Sequence, residues 1–355
     1  MEGTSVQNSS SSDISPKTEV EVSQNAEAPA GRFATSYRKA HQALGFNKAY
    51  NFPLFIIFAG AMLGFSLARV SYMNIAGPAS SSYANSASPG EWYWYEHGHY
   101  RIGITMHLIT VLPAGLLMIW QFIPIIRQKF LLFHRINGYL IWTLITISNV
   151  GALMIARRAF GGTLDTQAAV GTLVILTTTS IFMACYNIKK LQIEQHRAWM
   201  LRGMFYMGTI ITVRLIQITA ALSISAIGSY YTTMTCQQLA SQYDGGPDES
   251  ADFAAYYPQC ANASALPFQR VTVLAKFEDQ SEQIGVSLGL PFGMALWLAL
   301  LIHLIGVEIY LNMTPRETER LRKVSYQKQL ERGFKNPGSA GLTVDRWGDS
   351  EPYVP

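Results

Sequence analysis

Two His-Arg dipeptides stand at the entrances of apolar segments. His134-Arg135 opens HRINGYLIW, and His196-Arg197 opens HRAWMLRG. Two facing histidines can ligate the iron of a haem b, and neighbouring arginines can pair with its propionates. The same side chains can instead bind a small anion, or lie among lipid headgroups at a membrane interface. The sequence leaves these alternatives open, with His134 and His196 as candidate metal ligands.

Arg214 is a further candidate because it lies inside an apolar run, about 16 Å from the run's first residue by helical rise. An unpaired arginine near the middle of a bilayer costs at least about 3 kcal/mol. The apolar runs contain no Asp or Glu, so the expected partners are backbone carbonyls, Gln217, the hydroxyls of LTTTS, water, or an anionic ligand. Arg214 therefore either binds an anion or only fastens helices together. The missing carboxylates also argue against a proton- or cation-coupled transporter.

The elements that carry these residues are expected to be membrane-spanning helices. Only 14% of the 355 residues are charged, against roughly 25% in soluble domains. Backbone groups in lipid must pair within their own segment, which favours helices. The sequence thus predicts an all-α polytopic transmembrane helix bundle of about six spans, with spans two to five as a four-helix core. Six runs are long enough to cross a hydrocarbon core of about 30 Å: 53–70, 102–123, 138–156, 168–186, 204–227 and 284–307.

The loops alternate in charge, which predicts an orientation. Basic residues flank spans on the cytoplasmic side, and here they favour cytoplasmic N and C termini, with the two His-Arg pairs at that same boundary. Nothing in the sequence distinguishes the plasma membrane from internal membranes. The predicted parts are a disordered tail at 1–30, an interfacial amphipathic segment at 31–50, the membrane domain at 53–310, and a basic tail at 314–355 whose last twenty residues are expected to be unstructured.

The long loop at 228–283 has the features of a lumenal or extracellular segment. It contains Cys236 and Cys260, two of only three cysteines, and Asn262 begins an Asn-Ala-Ser glycosylation acceptor. A disulfide between Cys236 and Cys260 would close the loop and stabilise the fold by about 3 kcal/mol in the chain-entropy model. Glycosylation and disulfides both require a non-cytoplasmic compartment.

Several of these elements resemble, in order and spacing, an uncharacterised family of predicted multi-pass membrane proteins grouped as a domain of unknown function. They are His107, HRING at 134–138, FGG at 160–162, HRAWMLR at 196–202, and Arg214. The resemblance covers roughly 107–221. It implies a membrane fold and brings no established activity, cofactor or partner.

Three functional hypotheses follow from the residues. The first is a redox or ligand-binding bundle that uses His134, His196 and Arg214, with Arg135, Arg197 and Gln217 as further contacts. The second is a carrier or receptor for an uncharged or anionic small molecule, and the third is an accessory structural protein. No nucleophile–base arrangement or phosphate loop is visible, so enzymatic activity stays undecided. The expected partners are the lipid bilayer and a small anionic or apolar ligand, with no nucleic acid.

Overall fold

The computed structural model describes residues 32–46, 48, 50–243, 251–260, 268–278 and 280–355. Within them, six helical segments are long and apolar enough to cross a membrane, which confirms the predicted helix bundle. The predicted disordered tail and the acceptor Asn262 lie outside the described residues. The spanning segments are α2 (Asn51–Ala68), α5 (Gly98–Gln121), α7 (Leu131–Ile155), α8 (Leu164–Lys189), α9 (Ile193–Ile227), and the pair α12 (Ser281–Gly289) and α13 (Phe292–Asn312).

Shorter elements lie between and beyond the spans. The short helices are α1 (Arg32–Ala43), α3 (Tyr83–Ser86), α4 (Trp92–Tyr95), α6 (Pro124–Lys129), α10 (Cys236–Ala240), α11 (Ala251–Tyr256), α14 (Pro315–Glu331) and α15 (Val344–Trp347). Two strands, β1 (Tyr231–Thr235) and β2 (Arg270–Leu274), form an antiparallel pair in the long loop, with Thr233 opposite Thr272. The small sheet was not predicted.

Small residues allow α5 and α7 to pack closely. A Cβ added at Gly151 would come within 2.6 Å of the Gly103 carbonyl oxygen and 2.7 Å of the His107 backbone nitrogen. The His107 side chain joins the same two helices, because its Nδ1 lies 2.9 Å from Ser148 Oγ and 3.2 Å from the Ser148 carbonyl oxygen. Close backbone approach with an interhelical hydrogen bond is a common way to join helices in lipid. His107 is thus a structural contact here.

The remaining spans are arranged around α9. This helix contacts α8 and α13 extensively, whereas α2 packs more lightly on α5 and α9. The predicted core of spans two to five is therefore extended by the sixth span. Arg202 on α9 and Glu308 on α13 form a bidentate ion pair, with N–O distances of 2.6 and 3.0 Å.

The two ends of the bundle differ in construction. The disulfide end carries β1, β2, α10 and α11, whose apolar side chains pack into a small core of their own. Cys236 and Cys260 are bonded there, with their Cα atoms 5.4 Å apart, as the sequence predicted. The tail end carries α6, α14 and α15, together with the first turns of α7 and α9.

The chain after α14 is folded against the tail end, so the expectation of twenty unstructured residues is wrong. Gln329, fully buried, donates to the Lys190 carbonyl oxygen at 3.0 Å and to Gln192 Oε1 at 2.9 Å. Its own Oε1 accepts from the Gly338 backbone N–H at 2.7 Å. The Leu342 N–H donates to Asn187 Oδ1 at 2.9 Å. These side chains provide partners for an irregular segment that has too few apolar residues to fold alone.

Candidate functional site

Arg214 lies at the disulfide end, not midway along the bundle as the sequence suggested. Its guanidinium carbon is 4.5 Å from the centroid of the Phe160 ring, in the loop after α7, and 5.7 Å from that of Phe292, at the start of α13. Hydropathy places the helix entrance at the first apolar residue of the run, but α9 already begins at Ile193. The true helix is longer, and Arg214 lies in its second half.

Gln217 is a partner of Arg214, as the sequence suggested. Arg214 Nη1 donates to Gln217 Oε1 at 2.9 Å, and Gln217 Nε2 donates to the Leu288 carbonyl oxygen at 2.8 Å. Two hydroxyls of LTTTS are engaged elsewhere, because Asn149 Nδ2 donates to Thr177 Oγ1 and Thr178 Oγ1. Arg214 keeps part of its surface accessible. It is an interior arginine with hydrogen-bonding capacity beyond its single hydrogen bond in the described chain.

Glu91 is the residue that the sequence reasoning missed. It precedes α4 in the aromatic segment EWYWYEHGHY, which reads as an interfacial belt. In the structure Glu91 is buried, and its Oε1 accepts a hydrogen bond from the Phe160 backbone N–H at 2.9 Å. Arg214 and the Tyr83 hydroxyl both act on its carboxyl group. Glu91, from a loop, thus supplies the carboxyl group near Arg214 that the apolar runs do not contain.

Burial is the largest influence on the pKa of Glu91, and it raises that pKa to about 7. Three smaller influences lower this pKa: the Phe160 N–H, the positive charge of Arg214 and the Tyr83 hydrogen bond. The carboxyl group therefore exchanges its proton near neutral pH. Carboxyl groups with such pKa values are frequent at binding and catalytic sites, because they can exist in either state under physiological conditions.

The FGG segment positions the contacts of this site. Phe160, Gly161 and Gly162 all have positive φ, at 47°, 85° and 61°. Such angles are unusual for phenylalanine and need support from their surroundings. The support comes from stacking of the Phe160 ring on Phe292, with centroids 4.2 Å apart. The turn aims the Phe160 N–H at Glu91 and its ring at Arg214. We call Glu91, Tyr83, Phe160, Arg214 and Gln217 the Glu91–Arg214 cluster.

His134 and His196 come together at the opposite end of the bundle. His134 lies within electrostatic range of His196, Arg127 and Arg135. His196 Nδ1 is 2.9 Å from the Ala184 carbonyl oxygen, which only accepts, so Nδ1 carries the hydrogen and Nε2 is left as an acceptor. His134 Nδ1 is buried without a hydrogen-bond partner in the described chain.

Arginines surround the two imidazoles unequally. Arg127 of α6, which the sequence reasoning did not select, acts on both histidines. Arg197 Nη2 donates to Thr314 Oγ1 at 3.1 Å, while Arg135 is exposed. No group of three or more His, Cys, Asp or Glu suited to a metal ion occurs among the described residues. We call His134, His196, Arg127 and Arg197 the His134–His196 cluster.

The two clusters cannot form one site, because they lie at opposite ends of α7, and His196 and Arg214 are 18 residues apart on α9. The 25 residues of α7 span about 37 Å at 1.5 Å per residue. His134 lies in its first turn, and Phe160 follows its last turn.

Comparison with known proteins agrees with this architecture. Residues 104–240 match the family described as "Predicted membrane protein (DUF2306)". The DUF2306 segment contains most of α5 and all of α7, α8 and α9, with His107, both His-Arg pairs and Arg214. It supports the resemblance seen in the sequence. Glu91 lies outside it.

One curated relative of the chain is the Ava biosynthesis cluster protein G of Aspergillus versicolor. It is 21% identical over 321 residues, which cover 76% of this chain and 91% of that protein. No solved structure matches the chain.

Proposed function

We propose that this membrane protein binds a small anionic molecule at the Glu91–Arg214 cluster. One observation carries the proposal: Arg214 is an interior guanidinium that stays partly accessible and makes one hydrogen bond to a side chain, Gln217, in the described chain. Protein interiors tolerate such a charge when it has a partner. Burial raises the pKa of its carboxyl neighbour, Glu91, to about 7, so part of the Glu91 population is protonated near neutral pH. When Glu91 is protonated, an anion is the natural partner of Arg214.

The surroundings suit a ligand with an apolar part. The rings of Phe160 and Phe292 cover one side of the guanidinium group, and Tyr83 lies beside Glu91. The name of the Aspergillus versicolor relative assigns that protein to a biosynthesis cluster. We extend from it only the expectation that the ligand is a small molecule.

Titration calorimetry of the purified protein with benzoate and with inorganic phosphate, at about pH 6, where Glu91 is protonated, tests the proposal. Arg214→Leu should weaken binding at least about a hundredfold, because charge-assisted hydrogen bonds to a bound anion are worth about 1.5–3 kcal/mol each. Arg214→Lys should lose about tenfold, since it keeps the charge without the planar fork. Arg214→Leu should remain folded because Glu91 can take a proton when its cationic neighbour is lost.

Arg270→Leu is the matched control, because Arg270 is an exposed arginine at the same end. It should bind both probes like the wild type. If neither anion binds, or if Arg214→Leu binds as the wild type does, Arg214 only fastens helices and the accessory role is the better description. Accumulation of a bound probe in proteoliposomes would make the protein a carrier, and binding without accumulation would make it a receptor.

Haem binding by His134 and His196 is a second candidate function. His196 Nδ1 bonds the Ala184 carbonyl oxygen, which leaves Nε2 as the ring nitrogen that could bind iron, as in many metal-ligating histidines. His134 lies within electrostatic range of His196. A bis-histidine haem b would give the purified protein a Soret band that His134→Ala and His196→Ala each remove. A colourless protein after expression with added haem precursor would contradict it.

A further inference from the structure

The Glu91–Arg214 cluster joins an acid and a cation in one interior site. Glu91 is only 9% exposed, and one of its oxygens is held by the Phe160 N–H. Arg214 acts on it electrostatically. Whether Glu91 carries a proton therefore decides how much positive charge an entering ligand meets at Arg214.

We infer that a carboxylate ligand is bound in this cluster together with one proton, which Glu91 holds. The inference rests on the proposed function, since it takes Arg214 as the anchor. An ionised Glu91 would oppose the ligand in two ways, because it repels an anion and compensates the charge of Arg214. Protonation removes both effects, and the carboxylic O–H of Glu91 can then donate to the ligand.

The surroundings of Glu91 leave it as the group that takes the proton. The groups that act on it are the Phe160 N–H from the FGG turn, Arg214 from α9 and Tyr83 from α3. Tyr95 of α4 also lies within its electrostatic range, and Arg69 acts on Arg214 from beyond α2. Tyrosines and arginines keep their protons near neutral pH. Among these described groups there is no histidine and no second carboxylate.

The titration range of Glu91 sets the expected pH dependence. In the free protein burial raises its pKa to about 7, and a bound anion beside it would raise the pKa further. Binding then takes up close to one proton above about pH 7 and few protons well below it. The affinity should fall about tenfold for each pH unit above about 7.

The geometry of Arg214 favours a carboxylate among the anions. One face of the guanidinium group lies over Phe160, and Nη1 is engaged by Gln217. The edge with its remaining N–H groups is left for the ligand, and a planar carboxylate matches such an edge with two parallel hydrogen bonds. The carboxylate can belong to a water-soluble acid or to a fatty acid from the bilayer.

Titration calorimetry with benzoate and with laurate tests the inference, at about pH 6 and about pH 8.5, in two buffers of different ionisation enthalpy. We expect Kd to rise about thirtyfold between these pH values and about one proton to be taken up per anion at the higher one. Coupled binding of benzoate assigns the site to water-soluble acids, and coupled binding of laurate alone assigns it to membrane-derived acids.

Glu91→Gln mimics the protonated acid and retains an oxygen for the Phe160 N–H. This variant should bind the probe with a Kd that does not change with pH and with no proton uptake. Glu96→Gln removes an exposed carboxyl of the same segment, and it should behave like the wild type.

Two results separate the failure of this inference from that of the proposed function. Binding that depends on Arg214 but lacks proton uptake, or uptake that persists in Glu91→Gln, overturns the coupling and leaves anion binding intact. If phosphate binds but neither benzoate nor laurate does, the coupling is likewise overturned and anion binding stands. If no anion binds at either pH, both proposals are wrong.

Discussion

Glu91 changes the chemical interpretation of this protein at the scale of single residues. With no carboxylate in the apolar runs, Arg214 looks like a lone interior cation. In the structure an acid from the loop before α4 lies beside it and titrates near neutral pH. The absence of carboxylates from the apolar runs therefore does not exclude proton-coupled chemistry, since Glu91 supplies a carboxyl group from a loop.

The raised pKa of Glu91 predicts a pH dependence of stability. The ordinary value of 4.5 applies to the unfolded chain, and the folded value is about 7. Between these values the folded protein holds a proton that the unfolded chain has lost, so stability is greatest at low pH and falls as pH rises through about 7. The full change is about 3 kcal/mol.

Thermal unfolding in detergent from about pH 5 to about pH 8 measures this dependence. Glu91→Gln should flatten the decline in Tm, whereas the exposed control Glu96→Gln should leave it unchanged. A decline of equal size in Glu91→Gln would mean that other groups cause it.

The FGG turn is the element that builds the site from separate parts of the chain. It follows α7 and holds Phe160 against Glu91, Arg214 and Phe292. The two glycines behave differently in the structure. A Cβ at Gly162 would overlap the Arg157 carbonyl oxygen, while a Cβ at Gly161 would meet nothing within 4 Å.

Gly162→Ala is therefore expected to displace the turn. It adds a backbone overlap to the left-handed penalty of about 1–2 kcal/mol, and Gly161→Ala incurs that penalty alone. Thermal unfolding and benzoate titration should both show the larger loss for Gly162→Ala. Equal losses would indicate that the positive φ angles, rather than the close approach to Arg157, limit this turn.

The folded tail is a property of the whole molecule. It connects α14 and the segment after it to the loop between α8 and α9 through buried side chains. Gln329 is central, because it makes two hydrogen bonds to the loop between α8 and α9 and one to the segment after α14. A buried group left without its partner costs about 1–3 kcal/mol.

Gln329→Ala should release the tail, because it leaves the Lys190 carbonyl and the Gly338 N–H without partners. Limited trypsin digestion should cleave the variant faster at Lys335 and Arg346, and Tm should fall. Gln327→Ala is the matched control, since Gln327 is exposed on the same helix. Unchanged digestion of Gln329→Ala would show that other contacts hold the tail.

The orientation of the whole chain in the membrane remains a prediction. The disulfide end should be non-cytoplasmic and both termini cytoplasmic. Glycosidase treatment should increase the electrophoretic mobility of the wild type and leave Asn262→Gln unaffected. A tail accessible to protease only from the lumenal side would contradict this orientation.

The six spans and the Cys236–Cys260 disulfide could be predicted without the fold. For example, the predicted span 53–70 corresponds to α2 at Asn51–Ala68. Spans are predictable because the thickness of the bilayer sets the length of each apolar run, which is a local property of the chain. Gln217 was also found as a partner of Arg214, since residues three apart on a helix are neighbours. The spans and the Arg214–Gln217 contact can each be predicted from one continuous segment of the sequence.

The contacts between distant residues depend on how the helices and loops pack. The FGG turn brings Glu91 and Arg214 together, since the Phe160 N–H binds Glu91 and the Phe160 ring lies against Arg214. Hydropathy contains no sign of that approach. The depth of Arg214 depends on where α9 begins, at Ile193, within a polar stretch that looked like a loop. The tail is ordered by partners on α8 and in the loop between α8 and α9, more than a hundred residues away. Such contacts follow from packing and burial, which exist only once the helices are assembled.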